Sequence, residues 1–466
     1  MDTVSYLAIS PPLLMALFGC ATLVTDVMTR GRGGRVGLVW FNLAGLALIG
    51  DALLLQASAA ADPLAVFANA LVWLATAVLL LISYRYLEVA GEHHGEYYAL
   101  ALFAECGMYF MASSLDLITL FVGLELTAIS FYILVGFTRT DRHSNEAALK
   151  YVLLGGLSSG FVLYGFSLLY GVSGSTNLVA IRNALAARPD TDPFVLLAVV
   201  TIVIGLLFKV SAAPFHFWAP DAYDGAPTPI TGYLAVASKI ASFAVLIRFL
   251  AGPLASAEDV WKPLIAVAAV ASLTIGSIAA ITQDRLKRLF GYSGIAHAGY
   301  VLLGFVAGGP DGYEGIYVYL LVYALMNLGA FAVLTSLRRR GIAGELVSDL
   351  RGLSQSHPVH AALFAVLLLS LAGIPPTAGF IGKYFIFAAL VKTNHIALAV
   401  VAAAYVAVSL YFYFRLVREM YLEPAEKTEG LAASFGVRVA LVATTALTLA
   451  IGLYPQPALQ LLERGH

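Results

Sequence analysis

The length of its apolar blocks constrains this chain more than any other feature. Hydrophobic runs of about 20 residues recur from end to end, bounded by charges, Gly and Pro, and a helix of ~20 residues crosses a bilayer core of ~30 Å. Charge content agrees: 12% of the 466 residues are charged and 60% are hydrophobic, whereas soluble domains carry about a quarter charged residues. A soluble core is excluded, and the expected fold is an all-α polytopic membrane protein. The net charge of −1 points to no nucleic-acid partner. Cys20 and Cys106 lie in apolar spans without a C-x-x-C or haem-attachment pattern, so no metal or iron–sulfur site is expected. The N-terminal "MDTVSYLAIS" lacks a basic stretch before its apolar run and reads as an uncleaved first helix. No P-loop, dinucleotide fingerprint, nucleophile elbow or H-E-x-x-H occurs.

The blocks delimit fourteen expected spans: 4–25, 34–57, 64–86, 97–114, 115–138, 145–172, 192–218, 228–252, 259–282, 286–307, 313–338, 357–392, 395–420 and 431–455. Lys and Arg concentrate in cytoplasmic connections. Connections and helix ends after odd-numbered spans hold 17 of them, against 5 after even-numbered spans. The odd connections are therefore expected in the cytoplasm, with both termini on the opposite side.

Two spans are interrupted. The seventh carries Lys209 and Pro214; the twelfth carries Pro375 and Pro376 within "GIPPTAG", then Lys383. Five spans apart, they cross in opposite directions. Broken helices at matching positions of oppositely oriented halves lie near the ion sites of inverted-repeat transporters. The expected division is a three-helix segment 1–96, a first five-span repeat 97–252, an inverted second repeat 253–420, and a last helix with its tail 421–466.

Four lysines fall inside spans: Lys150, Lys209, Lys239 and Lys383. Each costs about 2.5–3.5 kcal/mol at a bilayer centre on insertion scales. Such lysines must face carboxylates, water or a protein interior. Lys150 is near a span end, where its ammonium can also snorkel to the surface. Glu125 is the clearest buried acid; it reads either as a hydrogen-bonded pin between helices or as the counter-charge of a lysine on a neighbouring span. A lysine balanced between such a charge and desolvation can gain and lose a proton, which arginine cannot. His216 follows Lys209 by seven residues, two helical turns, so the two are expected on one face. Pro214 should free the carbonyl of Val210, for which water or Ser211 is the expected partner. His216 and His297 each read as a satisfied polar group or as a relay. Asp51 and Glu105 are further acids without an assignable partner. The 50 tyrosines and phenylalanines read as packing and interface residues.

Four segments, "LKYVLLGGLSSGFVLYGFSLLYG", "FKVSAAPFHFWAPDAYDGAPTPITGYLAVASK", "RLKRLFGYSGIAHAGYVLLG" and "LAGIPPTAGFIGKYFIF", together resemble the antiporter-like membrane subunits of respiratory complex I (NADH–quinone oxidoreductase), in particular the subunit N family. The resemblance runs from span four to span fourteen. It implies fourteen transmembrane helices, two inverted five-helix repeats with helices 7 and 12 broken, and a proton path along the membrane midplane. Carried over by motif, that path would use Glu125, Lys150, Lys209, Lys239 and Lys383, with His216 and His297 as polar relays. Glu105 departs from the family pattern, where a neutral residue is expected.

The same resemblance implies no cofactor in this chain; NADH, FMN, iron–sulfur clusters and quinone would belong to partner subunits. Partners would be lipid and other membrane subunits, including the sister antiporter-like subunit M and small membrane subunits. The location would be a bacterial inner membrane, with both termini periplasmic. Multisubunit sodium/proton antiporters and membrane-bound hydrogenases share the fold and remain the alternative, as does a stand-alone secondary transporter.

Overall fold

A computed structural model describes residues 3–29, 35–58, 62–92, 94–188, 192–338, 344–424, 431 and 433–463. Its helices are α1 (Thr3–Thr29), α2 (Arg35–Ser58), α3 (Pro63–Ala90), α4 (Gly95–Ser113), α5 (Leu117–Val135), α6 (Arg142–Ser173), α7 (Leu178–Ala186), α8 (Pro193–Lys209), α9 (Trp218–Gly225) and α10 (Thr228–Tyr233). They continue as α11 (Lys239–Leu250), α12 (Glu258–Ile281), α13 (Leu286–Ala307), α14 (Gly309–Ser336), α15 (Leu353–Ser356), α16 (Pro358–Ala372), α17 (Ala378–Lys392), α18 (Ile396–Tyr421), α19 (Phe435–Leu453) and α20 (Gln456–Glu463). A π-helical turn, Leu234–Ser238, joins α10 to α11.

Local chemistry fixes the helix ends. Asp62, Asp116, Asp141, Asn177 and Asp192 each accept backbone N–H groups from the first turn that follows, satisfying donors that a helix start leaves unpaired. Gly91 and Gly174 end α3 and α6 in the left-handed conformation, where a side chain is penalised.

Among the described residues, eleven helices are long and apolar enough to cross a membrane, and each falls on an expected span. The other three expected spans behave differently. The fourth forms α4, which carries Glu96 and Glu105. The seventh and twelfth split, giving the shorter apolar helices Pro193–Lys209 and Pro358–Ala372 before each break. The outer helices present large apolar side chains outward, among them Leu54, Ile118, Leu153, Val267 and Val400, as a bilayer-facing surface requires. Three segments are enclosed instead, each with 94% of its apolar window buried: Thr228–Leu250, Leu286–Ala307 and Gly309–Ser336. These central segments carry Lys239 and His297.

Two isolated bridges tie loops to helix starts in a repeated way. Asp116, just before α5, pairs with Asn177, just after α6; Arg285, just before α13, pairs with Leu346, after α14. The bonds correspond: Leu117 N–H to Thr176 O at 2.9 Å and Leu178 N–H to Leu115 O at 2.9 Å, against Leu286 N–H to Glu345 O at 2.7 Å and Val347 N–H to Asp284 O at 2.9 Å. Packing repeats as well, with α4 against α5 and α12 against α13, and with α6 against both halves of the first broken helix, α8 and α9, as α14 is against both halves of the second, α16 and α17.

Candidate functional site

The first cluster is built where α8 stops. Lys209 is its last residue; the partly buried side chain donates from Nζ to Ser159 Oγ of α6 at 3.3 Å. Glu125 of α5 is within electrostatic reach of this ammonium, yet no ion pair joins them. Glu125 Oε1 is buried without a hydrogen-bond partner. The nearby Tyr132 hydroxyl is likewise unpartnered.

Between Lys209 and Trp218 the chain leaves helical geometry, with Ser211 at φ 61°. The two-turn register between Lys209 and His216 is therefore lost, because a helical face exists only while the helix does. His216 is buried beside Phe217, ring centroids 4.6 Å apart, and its Nδ1 has no partner. The backbone groups released by the break are satisfied in an unexpected way. The Trp218 indole donates to Phe208 O at 2.9 Å, and the Ala213 N–H donates to Ser272 Oγ at 2.8 Å. Ser211, the expected partner at this kink, keeps a buried hydroxyl without a partner.

Lys150, expected among the buried lysines, is exposed on α6. It pairs with Glu146 at 2.8 Å, one turn away, and with Asp221 of α9 at 3.0 Å. Asp221 also takes Arg288 at 2.5 Å. Beside it, buried Asp224 accepts from His143 at 3.0 Å and Arg285 at 2.7 Å, and Glu345 takes Arg285 at 2.6 Å and Lys287 at 2.8 Å. This ion-pair network ties α6, α9, α13 and the segment before Val347 together. In sequence its acids are loop-flanking residues with no visible pairing.

The second cluster lies in the enclosed centre. Lys239 follows the π-turn directly, and its Nζ donates to Gly294 O of α13 while lying 5.5 Å from the centroid of the Tyr323 ring. A Cβ at position 294 would sit 2.8 Å from that nitrogen, so glycine permits the approach. One turn further along α13, His297 Nδ1 meets the Tyr319 hydroxyl at 2.7 Å and Nε2 meets the Tyr413 hydroxyl at 3.1 Å. Tyr413 also bonds Ser293. An imidazole with a hydroxyl on each nitrogen can take a proton at one and release it at the other.

Lys383 of α17 closes the line. Its Nζ donates to Leu371 O at 3.1 Å and Ala372 O at 2.6 Å, the last carbonyls of α16, and lies 5.1 Å from the centroid of the Tyr300 ring. The lysine thus caps the helix end exposed by the break, where the backbone dipoles favour a cation. Gly373 makes room: it has φ 89°, and a Cβ there would sit 2.8 Å from Lys383 Cδ. His297 is within electrostatic reach of both Lys239 and Lys383.

The structure therefore groups the expected residues in two sets, Glu125 with Lys209 and Lys239 with His297 and Lys383. No direct bond joins the sets among the described residues. Tyr319, Tyr323 and Tyr413 are polar partners that a packing reading of the aromatics passes over. Only the four-residue spacing of Tyr319 and Tyr323, which puts both on one helical face, hints at them. No metal-binding cluster of His, Cys, Asp and Glu occurs among the described residues.

A helical membrane bundle with two interrupted helices and lysines beside the interruptions defines a class of ion-translocating proteins, and comparison with known proteins places the chain within it. Residues 114–409 match the family described as NADH:quinone oxidoreductase/Mrp antiporter, membrane part, and the chain belongs to that family. It is similar to NADH-quinone oxidoreductase subunit N 2 of Solibacter usitatus, with 54% identity over 99% of this chain and 97% of the relative. It is similar also to NADH-quinone oxidoreductase subunit N 2 of Rhizobium meliloti, with 43% identity over 98% and 97%. Among solved structures, a chain of respiratory complex I from Thermus thermophilus superposes with TM-score 0.82 and 34% identity, covering 97% of this chain and 98% of that one. A chain of the Mrp complex from Dietzia shares the fold, with TM-score 0.81 and 22% identity over 97% of this chain and 96% of that one. The resemblance of the four sequence motifs to subunit N is thereby borne out.

Proposed function

We propose that this chain is a proton-translocating membrane subunit of an NADH–quinone oxidoreductase of the complex I type. The observation that carries the proposal is the buried line Lys239–His297–Lys383, with Lys239 and His297 in the most enclosed helices of the bundle, Lys383 on α17 packed against them, and tyrosine rings and hydroxyls along it. Buried ionisable residues at membrane depth are expensive and mark ion or proton routes. Here the two lysines lean on backbone carbonyls rather than carboxylates, which leaves their protons free of a permanent ion pair. Kinship with subunit N sequences, at up to 54% identity, favours NADH–quinone oxidoreductase over the antiporter branch.

In this reading redox chemistry takes place in partner subunits, which hold NADH, FMN, iron–sulfur clusters and quinone, and this chain receives an electrostatic signal. Lys150, shared between Glu146 and Asp221, is the exposed charge that a neighbouring membrane subunit, such as subunit M or a small membrane subunit, can displace. Its displacement changes the potential at Glu125 and Lys209. A proton released at Lys209 passes to Lys239 across a gap that water would bridge, then through the two nitrogens of His297 to Lys383. His216, beside the same break, serves the first part of this route. The repeated bridges at Asp116 and Arg285 support fourteen crossings built from two inverted five-helix repeats, 97–252 and 253–420. The excess of basic residues after odd-numbered spans supports termini on the periplasmic side of a bacterial inner membrane.

Association tests the assignment. The tagged chain, extracted from its native membrane in mild detergent and run on native gels, is expected to comigrate with NADH-dehydrogenase activity. Comigration with a sodium/proton antiporter assembly, or solute uptake by the purified chain alone in liposomes, would contradict it.

A further inference from the structure

Glu105 is a buried acid that the route above does not use. It lies on α4 with 1% of its surface exposed, and neither carboxyl oxygen has a hydrogen-bond partner. No Lys, Arg or His stands within ion-pair distance of it among the described residues. A charge placed this way in a membrane bundle is costly, and a buried polar group without a partner calls for an explanation.

The groups facing Glu105 are hydroxyls and a thiol. The Thr76 hydroxyl of α3 lies beside it, and the Tyr233 hydroxyl of α10 and the Cys106 thiol are within electrostatic reach. Thr76 and Tyr233 bond each other at 3.0 Å. Thr76 also donates to Val72 O at 3.1 Å and Tyr233 to Ala101 O at 3.3 Å, so each hydroxyl has more than one place to send its hydrogen. Tyr233 is the residue from which the π-turn Leu234–Ser238 begins, and Lys239 follows that turn. α3 packs along α10, the π-turn and α11. Single π-turns within helices are frequent at functional sites.

We propose that Glu105 is a further proton-carrying residue of this chain, coupled through the Thr76–Tyr233 hydroxyl pair to the π-turn that positions Lys239. The inference rests on the proton-translocation reading. With its proton bound, the Glu105 carboxyl donates to the Thr76 oxygen, and the Tyr233 hydrogen goes to Ala101 O. With its proton released, the carboxylate accepts from Thr76, Thr76 accepts from Tyr233, and Ala101 O loses its donor. One proton leaves, two hydroxyl hydrogens turn, and no electron moves. Tyr233 is then held differently at the start of the π-turn, so Glu105 acts on Lys239 as a positioning residue.

Proton pumping and NADH oxidation measured together in the assembled complex in proteoliposomes test this. Glu105→Gln keeps the size and polarity of the side chain but cannot exchange a carboxyl proton. It is expected to assemble and to lose part of the protons pumped per electron, with Glu105→Asp closer to the parent. Tyr233→Phe, which removes only the hydroxyl, should lower the ratio in the same way. The infrared difference between parent and Glu105→Gln should contain a carboxylic-acid carbonyl band that shifts in deuterated buffer and moves in Tyr233→Phe. If Glu105→Gln pumps at the parental ratio while Lys239→Ala does not, Glu105 is a structural pin and the inference is overturned. If Lys239→Ala also pumps at the parental ratio, the proton-translocation reading fails and this inference fails with it.

Discussion

At the scale of single residues, the site depends on side chains that are absent as much as on those present. Gly294 sits in regular helix, where alanine is the better helix former. A methyl group there would nonetheless lie 2.8 Å from Lys239 Nζ. Gly294→Ala should therefore leave assembly and thermal stability near parental while reducing proton pumping per electron; a parental pumping ratio would show that the Lys239–Gly294 contact is dispensable. Asp116 offers a residue-scale test outside the membrane segments. Partial burial opposes its ionisation, but bonds from the Thr176 hydroxyl at 2.5 Å and from the Thr119 and Ile118 N–H groups outweigh it and hold the carboxyl below its usual range. A carboxylate depressed on folding contributes stability above its unfolded pKa of about 3.9 and loses it as pH falls through the folded value. Asp116→Asn, which still caps α5, should be less stable than the parent at neutral pH. The gap should narrow as pH drops from about 5 to about 3, read as thermal unfolding in detergent.

At the scale of elements, the break after Lys209 is a built structure whose loose backbone is caught by two side chains. Ser272→Ala removes the acceptor of the Ala213 N–H, and an abandoned buried donor costs about 1–3 kcal/mol. The protein should melt earlier, and Ser272→Thr, which restores a hydroxyl, should recover most of the loss; an unchanged melting temperature in Ser272→Ala would mean the break is held elsewhere. Much of this level was legible in the sequence. Apolar length placed the helices, and Pro214 and Pro375–Pro376 placed the two breaks. A proline announces that a helix stops but not where the chain goes next, which is why the shared face of Lys209 and His216 did not survive. The π-turn before Lys239 contains no Gly or Pro to mark it. Tyr413 lies 116 residues from His297, so their bond belongs to packing, which periodicity cannot reach. Lys150 resembles a buried lysine until Asp221, 71 residues away, is seen beside it.

At the scale of the molecule, the chain reverses the arrangement of a soluble protein. Its exterior is apolar where lipid or other subunits must lie, and its most enclosed helices carry lysines, a histidine and tyrosine hydroxyls. One end of the bundle is laced by the Asp221, Asp224 and Glu345 pairs, which fix α6, α9 and α13 relative to one another. In the proposed function, that frame would let a charge displaced at Lys150 act on fixed groups deeper inside. In the same function, Lys239 carries the translocated proton between the two halves. The most direct test of that role is the number of protons pumped per electron in Lys239→Ala, in complexes whose assembly is verified and whose NADH oxidation is measured in the same vesicles. A reduced ratio is expected in fully assembled complex. A parental ratio in Lys239→Ala would contradict that role.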